Sequence, residues 1–426
     1  MGDGLAGALH HERHRHDMGL TIHYQLATTG DEAHARNQHS GMKTPTQPTA
    51  TARLELLKTS VTIAGTFAAL LLSALKVLGG TGAAIESSVP TKRLIPEVWI
   101  MAQPWQGSGQ CLREMLSQEG QWKATREQVQ GIGYWPWLMN DQFRDDEIRD
   151  LFTKLQAWHK GFGFEVPVLK APNWGYPYPL QAKDAFARLQ QFARRFKSLG
   201  MDRVDWFAFE EPIFAAREVI SATNVPAIPP IELKLIGAVK NDSEVARRIA
   251  YGVSETVSFM AMMRPAYPSA RLGLIEPYPA LTLDELKTAV AGIQNECARQ
   301  GGKGLDFFRL DLDWERLARE KRPWTEAKQI ENTCHESGIK FSMVFWAADW
   351  PRLAQAGLVT PSSWSEGVLH QAHKYFEVGG SPDEIVIESW LHTPEHAVPE
   401  TNSETFTASV LDFIRLHPPA SWITPR

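Results

Sequence analysis

From residue 97 onward the chain alternates between two hydrophobic rhythms. Short apolar runs give way to longer segments in which apolar residues recur every three or four positions. The short runs predict strands at 98–102, 132–137, 163–169, 204–210, 271–275, 305–311, 340–346 and 384–389. Pro167 sits awkwardly in the third, because a proline has no ladder donor. The longer segments predict helices at 112–130, 145–160, 184–199, 243–263, 325–337, 363–378 and 403–416. In the second of these, Ile148, Leu151, Phe152, Leu155 and Trp158 share one face. In the third, Phe186, Leu189, Phe192, Phe196 and Leu199 do so, and Gly200 stops the helix. Asn241-Asp242 is placed to cap the helix at 243. Thr282 and Glu285 have capping-box spacing for a further helix ending at Arg299. A longer insert, with Pro226, Pro229 and Pro230, fills 212–240.

Eight strands alternating with helices imply a parallel sheet covered by helices. An open doubly wound sheet would carry a glycine-rich phosphate turn after a strand. Gly301-Gly302-Lys303-Gly304 comes before one instead. The expected fold is α/β, a closed (β/α)8 TIM barrel over residues 92–420. Its functional end is where the strands finish. The 426 residues leave ample length for such a barrel, typically about 250 residues, with insertions.

The first ninety residues follow neither rhythm. Residues 1–41 hold His10, His11, His14 and His16 and read as a disordered, His-rich leader. Residues 42–84 read as a signal peptide. Lys43, Arg53 and Lys58 precede an apolar stretch at 61–75, and small residues follow, with cleavage expected near Ala84. Lys76 leaves the stretch short of the roughly 20 residues of a membrane span, so no stable span is expected after cleavage. The expected location is secreted or periplasmic, with an uncleaved anchor as the alternative. Cys111, Cys297 and Cys334 show no metal-like or disulfide-like spacing.

Most of the predicted strands run into an acid, a Trp or both. The fourth ends at Glu210-Glu211-Pro212, the fifth at Glu276 and the sixth at Asp311 and Asp313. The seventh leads to Asp349-Trp350, and the eighth ends at Glu388-Ser389-Trp390. All 15 Trp follow residue 98, which makes aromatic strand ends a property of the barrel alone. Trp105, Trp135, Trp137, Trp174, Tyr176, Tyr178, Tyr278, Trp314, Trp350 and Trp390 lie in or just beyond strand ends. Flat aromatics stack on the C–H faces of sugar rings, while carboxylates bond the hydroxyls. On strand six, period-two alternation puts Arg309, Asp311 and Asp313 on one face. An Arg two residues from an Asp reads first as a structural ion pair inside the barrel. The alternative is that Asp311 or Asp313 binds a sugar hydroxyl.

At Glu210-Glu211-Pro212 the chain resembles the glycoside hydrolases built on (β/α)8 barrels. Many of them carry Asn-Glu-Pro at the end of strand four. The resemblance implies that Glu211 is the general acid/base, with Glu210 standing where the family has Asn. It places the partner carboxylate at the end of strand seven. Asp349 is there, where the family has Glu, whereas Glu388 matches the family pattern better but falls on strand eight. Glu276 is a third candidate. The implied catalytic set is Glu211 with Asp349 or Glu388. The implied substrate-binding set is Glu210, Glu276, Asp311, Asp313, Trp105, Trp137, Trp174, Tyr176, Tyr278, Trp314, Trp350 and Trp390.

The expected partner is a carbohydrate. The net charge of −5 gives no basic field for nucleic acid, and no cofactor is expected. Two other classes use the same residues. A divalent-metal barrel would coordinate Mg²⁺ or Mn²⁺ through Glu211, Glu276 and Asp311. His392 and His396 lack the helical Glu of a zinc motif, and Pro394 between them points to a loop. A non-catalytic carbohydrate-binding barrel is the second alternative.

Overall fold

In the computed structural model of the chain, the described residues are 96–169, 181–218, 242–346, 359–389 and 392–417. The chain divides into two units, Met1–Lys92 and Arg93–Arg426. The His-rich leader and the signal-like segment lie outside the described residues, as does most of the insert at 212–240.

Eight parallel strands close into one barrel in sequence order. They are β1 (Glu97–Met101), β2 (Gly131–Tyr134), β3 (Gly161–Pro167), β4 (Trp206–Glu210), β5 (Arg271–Tyr278), β6 (Phe307–Leu312), β7 (Lys340–Phe345) and β8 (Glu384–Glu388). The helices of the described residues are α1 (Gln110–Ser117), α2 (Lys123–Gln128), α3 (Pro136–Gln142), α4 (Asp145–Ala157), α5 (Ala182–Ser198), α6 (Pro212–Glu218), α7 (Asp242–Ala266), α8 (Leu283–Arg299), α9 (Trp314–Arg319), α10 (Thr325–Glu336), α11 (Pro361–Glu377) and α12 (Phe406–Leu416). The expected TIM barrel is the fold.

Local chemistry explains where the elements begin and break. Thr282 Oγ1 accepts the Glu285 amide at 3.2 Å and Glu285 accepts the Thr282 amide at 2.7 Å, the reciprocal box expected for α8. Asp145, Asp146 and Glu147 put negative charge on the first turn of α4, where the helix dipole favours it. The segment 112–130 is two helices, not one. Trp122 is fully buried, and its indole donates to the Met115 carbonyl at 2.8 Å, folding the chain back between α1 and α2. Pro167 closes β3 opposite Glu210, at a strand end where a missing donor costs little. Three short helices follow strand ends without a long periodic signature: α3, α6 and α9.

The barrel interior is built in layers from alternate strands. Asp205, Asp306 and Asp383 stand just before β4, β6 and β8. Each carboxylate accepts a backbone amide of the preceding strand at 2.8 Å, from Phe162, Leu272 and Phe341. This repeated clamp sets β4, β6 and β8 at one height. Counting up by twos, Gly131, Trp206, Phe307 and Glu384 form a low layer, and Gly133, Ala208, Arg309 and Val386 a middle one. The Trp206 indole and the Phe307 ring fit because neighbouring strands supply glycine. A Cβ on Gly163 would lie 2.0 Å from the Trp206 ring, and one on Gly273 2.2 Å from Phe307.

Charge also enters the low layers. Arg309 and Glu384 are almost wholly buried and pair at 2.7 Å. Ser342 accepts from Arg309 at 3.2 Å and donates to Glu384 at 3.1 Å. Arg271 pairs with Glu384 at 3.0 Å and with Glu97 at 3.1 Å. The Arg309 guanidinium stacks 4.2 Å from the Trp206 ring centre. Arg309 is therefore in a buried ion pair, but not with an Asp of its own strand as expected: the carboxylate is Glu384 of β8. Neighbouring strands place Glu384 beside Ser342, within reach of Arg309.

Candidate functional site

One layer higher, at the carboxyl ends of the even strands, stand Trp135, Glu210, Asp311 and Glu388. Each acid follows its clamping Asp by five residues. Alternation turns them toward the barrel axis, because Trp206, Phe307 and Glu384 of the same strands already point inward. Glu210 is 3% exposed and Glu388 6%, while Asp311 is half-buried. The layer beneath adds Glu165 of β3, 4% exposed, on the face shared with Gly161 and Gly163. Sequence reading passed over Glu165. Its signal was alternation from Gly161, visible only once β3 is known to start there. Asp349, the other catalytic candidate, lies outside the described residues.

Glu211 is the next residue after the mouth layer on β4. Its φ of 51° is left-handed, a conformation that glycine adopts freely and glutamate rarely does. Such strain costs about 1–3 kcal/mol and persists where surrounding structure imposes it. The Glu211 amide donates to the Ile275 carbonyl at 2.9 Å, and its carbonyl accepts the Ala215 amide at 2.8 Å. Glu211 thus ends β4 and starts α6 within one residue, with its side chain partly exposed at the rim.

Glu276 is not at the mouth. It is fully buried on the outer face of β5, where its two oxygens accept the Ile213 amide at 2.7 Å and the Phe214 amide at 3.0 Å. Asp313 caps α9, accepting the Arg316 amide at 2.8 Å. The carboxylates Glu211, Glu276 and Asp311 therefore do not assemble as a metal cage. Among the described residues no group of three or more His, Cys, Asp or Glu is placed to hold an ion. His392 and His396 lie in an irregular segment, and His396 pairs with Glu114 at 2.7 Å.

The aromatic set divides. Trp135 and Trp137 are buried at the end of β2 and in the first turn of α3. Trp105 is half-buried, its amide held by the buried Gln103 side chain at 2.9 Å. Gln103 is anchored in turn through Cys111, with Nε2 to Sγ at 3.3 Å. Trp314 is half-buried, donates to the Trp346 carbonyl at 3.3 Å and packs 4.9 Å from the His370 ring. Burial, then the neighbouring Lys374, depresses the His370 pKa, so this ring is neutral at pH 7. Tyr278 is fully buried on the outside of the barrel. Its hydroxyl donates to Glu326 and Arg322 stacks on its ring, while burial pushes its pKa up. Trp174, Tyr176, Tyr178, Trp350 and Trp390 lie outside the described residues. Trp346, absent from the expected set, directly follows β7, and alternation from Ser342 puts it on the inner face. Its indole N–H is buried with no hydrogen-bond partner.

No protein-family model and no curated protein matches the chain. Solved structures do. The aldolase QR15 is 12% identical, with 77% of this chain and 98% of that one covered and a TM-score of 0.36. Xylanase A of P fluorescens subsp. cellulosa is 14% identical, with 75% and 97% covered and a TM-score of 0.41. A GH10 protein from Paenibacillus barcinonensis is 12% identical, with 78% and 97% covered and a TM-score of 0.41. At these values the matches decide nothing about chemistry, and the barrel rests on its own strand pairing. No helix among the described residues is long and apolar enough to cross a membrane.

Proposed function

We propose that the mouth of this barrel hydrolyses a glycosidic bond. The observation that carries the reading is the mouth layer itself. Glu210, Asp311 and Glu388 converge with Trp135 at one height, and Glu211 stands on a strained turn directly after Glu210. Glycoside cleavage needs one carboxylic acid to protonate the departing oxygen and a second carboxylate to attack or to activate water. Glu211 is the acid/base in this account, since its partial exposure lets it exchange protons with solvent. Glu388 is the second carboxylate. Glu210 and Asp311 accept sugar hydroxyls, and Trp346 offers its indole N–H to another. Segment 42–84 is taken as the export signal that delivers the enzyme to its carbohydrate.

The test is a screen of the whole protein on a glycan panel, with and without chelator, beside Glu211→Gln. Cleavage that survives chelator and falls at least about 100-fold in the variant supports the proposal. Activity abolished by chelator favours a metal-dependent barrel. Binding without turnover favours a carbohydrate-binding module.

A further inference from the structure

The strained residue Glu211 does not hold itself in place. Five bonds fix the short helix it initiates. Glu276 binds the Ile213 and Phe214 amides, which are among the first-turn donors that a helix leaves unpaired. At the other end of α6, Arg217 donates to Glu285 at 2.8 Å and its carbonyl accepts from Arg248 at 3.0 Å. The Glu211 amide is tied to Ile275, the residue before Glu276 on β5. One dipeptide of β5 therefore grips the chain on both sides of Pro212.

We infer that Glu276 is a positioning residue that sets the left-handed turn at Glu211 and so aims its carboxyl into the mouth. This rests on the reading of Glu211 as the acid. A carboxylate suits the task because both of its oxygens accept. A glutamine would keep one acceptor and turn an N–H₂ donor toward the second amide. An alanine would leave two buried amides unpaired. With the grip released, Glu211 relaxes toward ordinary backbone angles and its carboxyl moves off line. Displacement by an ångström of a group that must meet a reacting atom is enough to slow a reaction by about 100-fold.

The experiment separates aiming from folding by the leaving group. Wild type and Glu276→Gln are assayed on phenyl and dinitrophenyl glycosides of the common pentoses and hexoses, both anomers. Dinitrophenolate departs without a proton, whereas phenolate needs the acid. The inference predicts that Glu276→Gln loses at least about 30-fold in kcat/KM on phenyl glycosides and less than about 3-fold in kcat/KM on dinitrophenyl glycosides. Equal losses on both, or no loss, would overturn it. Hydrogen exchange at the Ile213 and Phe214 amides is read on the same samples and needs no substrate. Exchange at least about 10-fold faster in Glu276→Gln, with the rest of the barrel unchanged, supports the grip. Unchanged exchange overturns it. Fast exchange in a protein that cleaves no glycoside would refute the hydrolytic reading while leaving the grip on Glu211 supported.

Discussion

Glu384 and Glu388 lie on one strand, on one face, four residues apart, and they live in different worlds. Glu384 is at the amino-terminal end of β8, almost fully buried, with Arg309 at 2.7 Å and Arg271 at 3.0 Å. Its charge is neutralised inside the barrel, among rings that fill every gap. Glu388 is at the carboxyl end, in a layer with two further acids and Trp135. Burial alone does not separate the two, since both are under 10% exposed. Among the described residues they differ in their company: Glu384 is paired with two arginines, and Glu388 shares its layer with Glu210 and Asp311. The lower barrel pairs charge with opposite charge and is built for stability. The mouth layer brings three acids to one height, the arrangement that the proposed hydrolysis uses.

The sharpest way to break this contrast is to unpair the lower acid. Arg309→Met leaves Glu384 buried with one of its two arginines gone. Loss of one partner from a buried pair costs about 3–5 kcal/mol, so the denaturant midpoint should fall accordingly. A loss under about 1 kcal/mol in chemical unfolding would show that the network is slack. A second test crowds the lower barrel without touching charge. Gly163→Ala puts a methyl where the Trp206 ring already lies, and overpacking of this kind costs about 1–3 kcal/mol. Unchanged thermal stability would mean that the rings have room to move.

These two regions differed in how far they could be read from the sequence. Short apolar runs located all eight strands, because a strand buried on both faces is such a run bounded by turns. The acids Glu210 and Glu388 were legible for the same reason, each being the first polar residue after such a run, and Asp311 closes a run that only Arg309 interrupts. Direction was less legible. Glu276 looks like Glu388 in sequence, yet it sits one register step away on the outer face and serves the helix α6. Arg309 found its partner 75 residues downstream because strand pairing, not chain proximity, sets neighbours. Tyr278 is the last residue of β5 and Asp313 directly follows β6, but they serve a bond to Glu326 and a helix cap. The φ of Glu211 has no sequence signature at all.

The smallest effect concerns the clamp below β8. His335 Nε2 bonds the Asp383 carboxylate at 2.9 Å, and that bond raises the His335 pKa. Burial would raise Asp383, but His335 and the Phe341 amide hold it below its usual value. His335 therefore adds stability that is fully present below about pH 6.5 and is lost as pH rises through its higher folded value. Asp383 adds stability that is present above about pH 4 and is lost as pH falls through its lower folded value. The wild type should exceed His335→Gln in Tm most between about pH 4 and 6.5, and the gap should close toward pH 9. Both side chains are substantially exposed, so the gap is worth under about 1 kcal/mol. A gap that widened at high pH would reverse the assignment.

The direct test of the central claim is Glu384→Gln measured against Glu388→Gln, each for Tm and for kcat/KM on a glycoside that the wild type cleaves. The account predicts that Glu384→Gln lowers Tm but leaves folded molecules active within about 3-fold. It predicts that Glu388→Gln keeps Tm and loses at least about 100-fold in kcat/KM. An unstable but active Glu388→Gln beside a stable but inactive Glu384→Gln would contradict it.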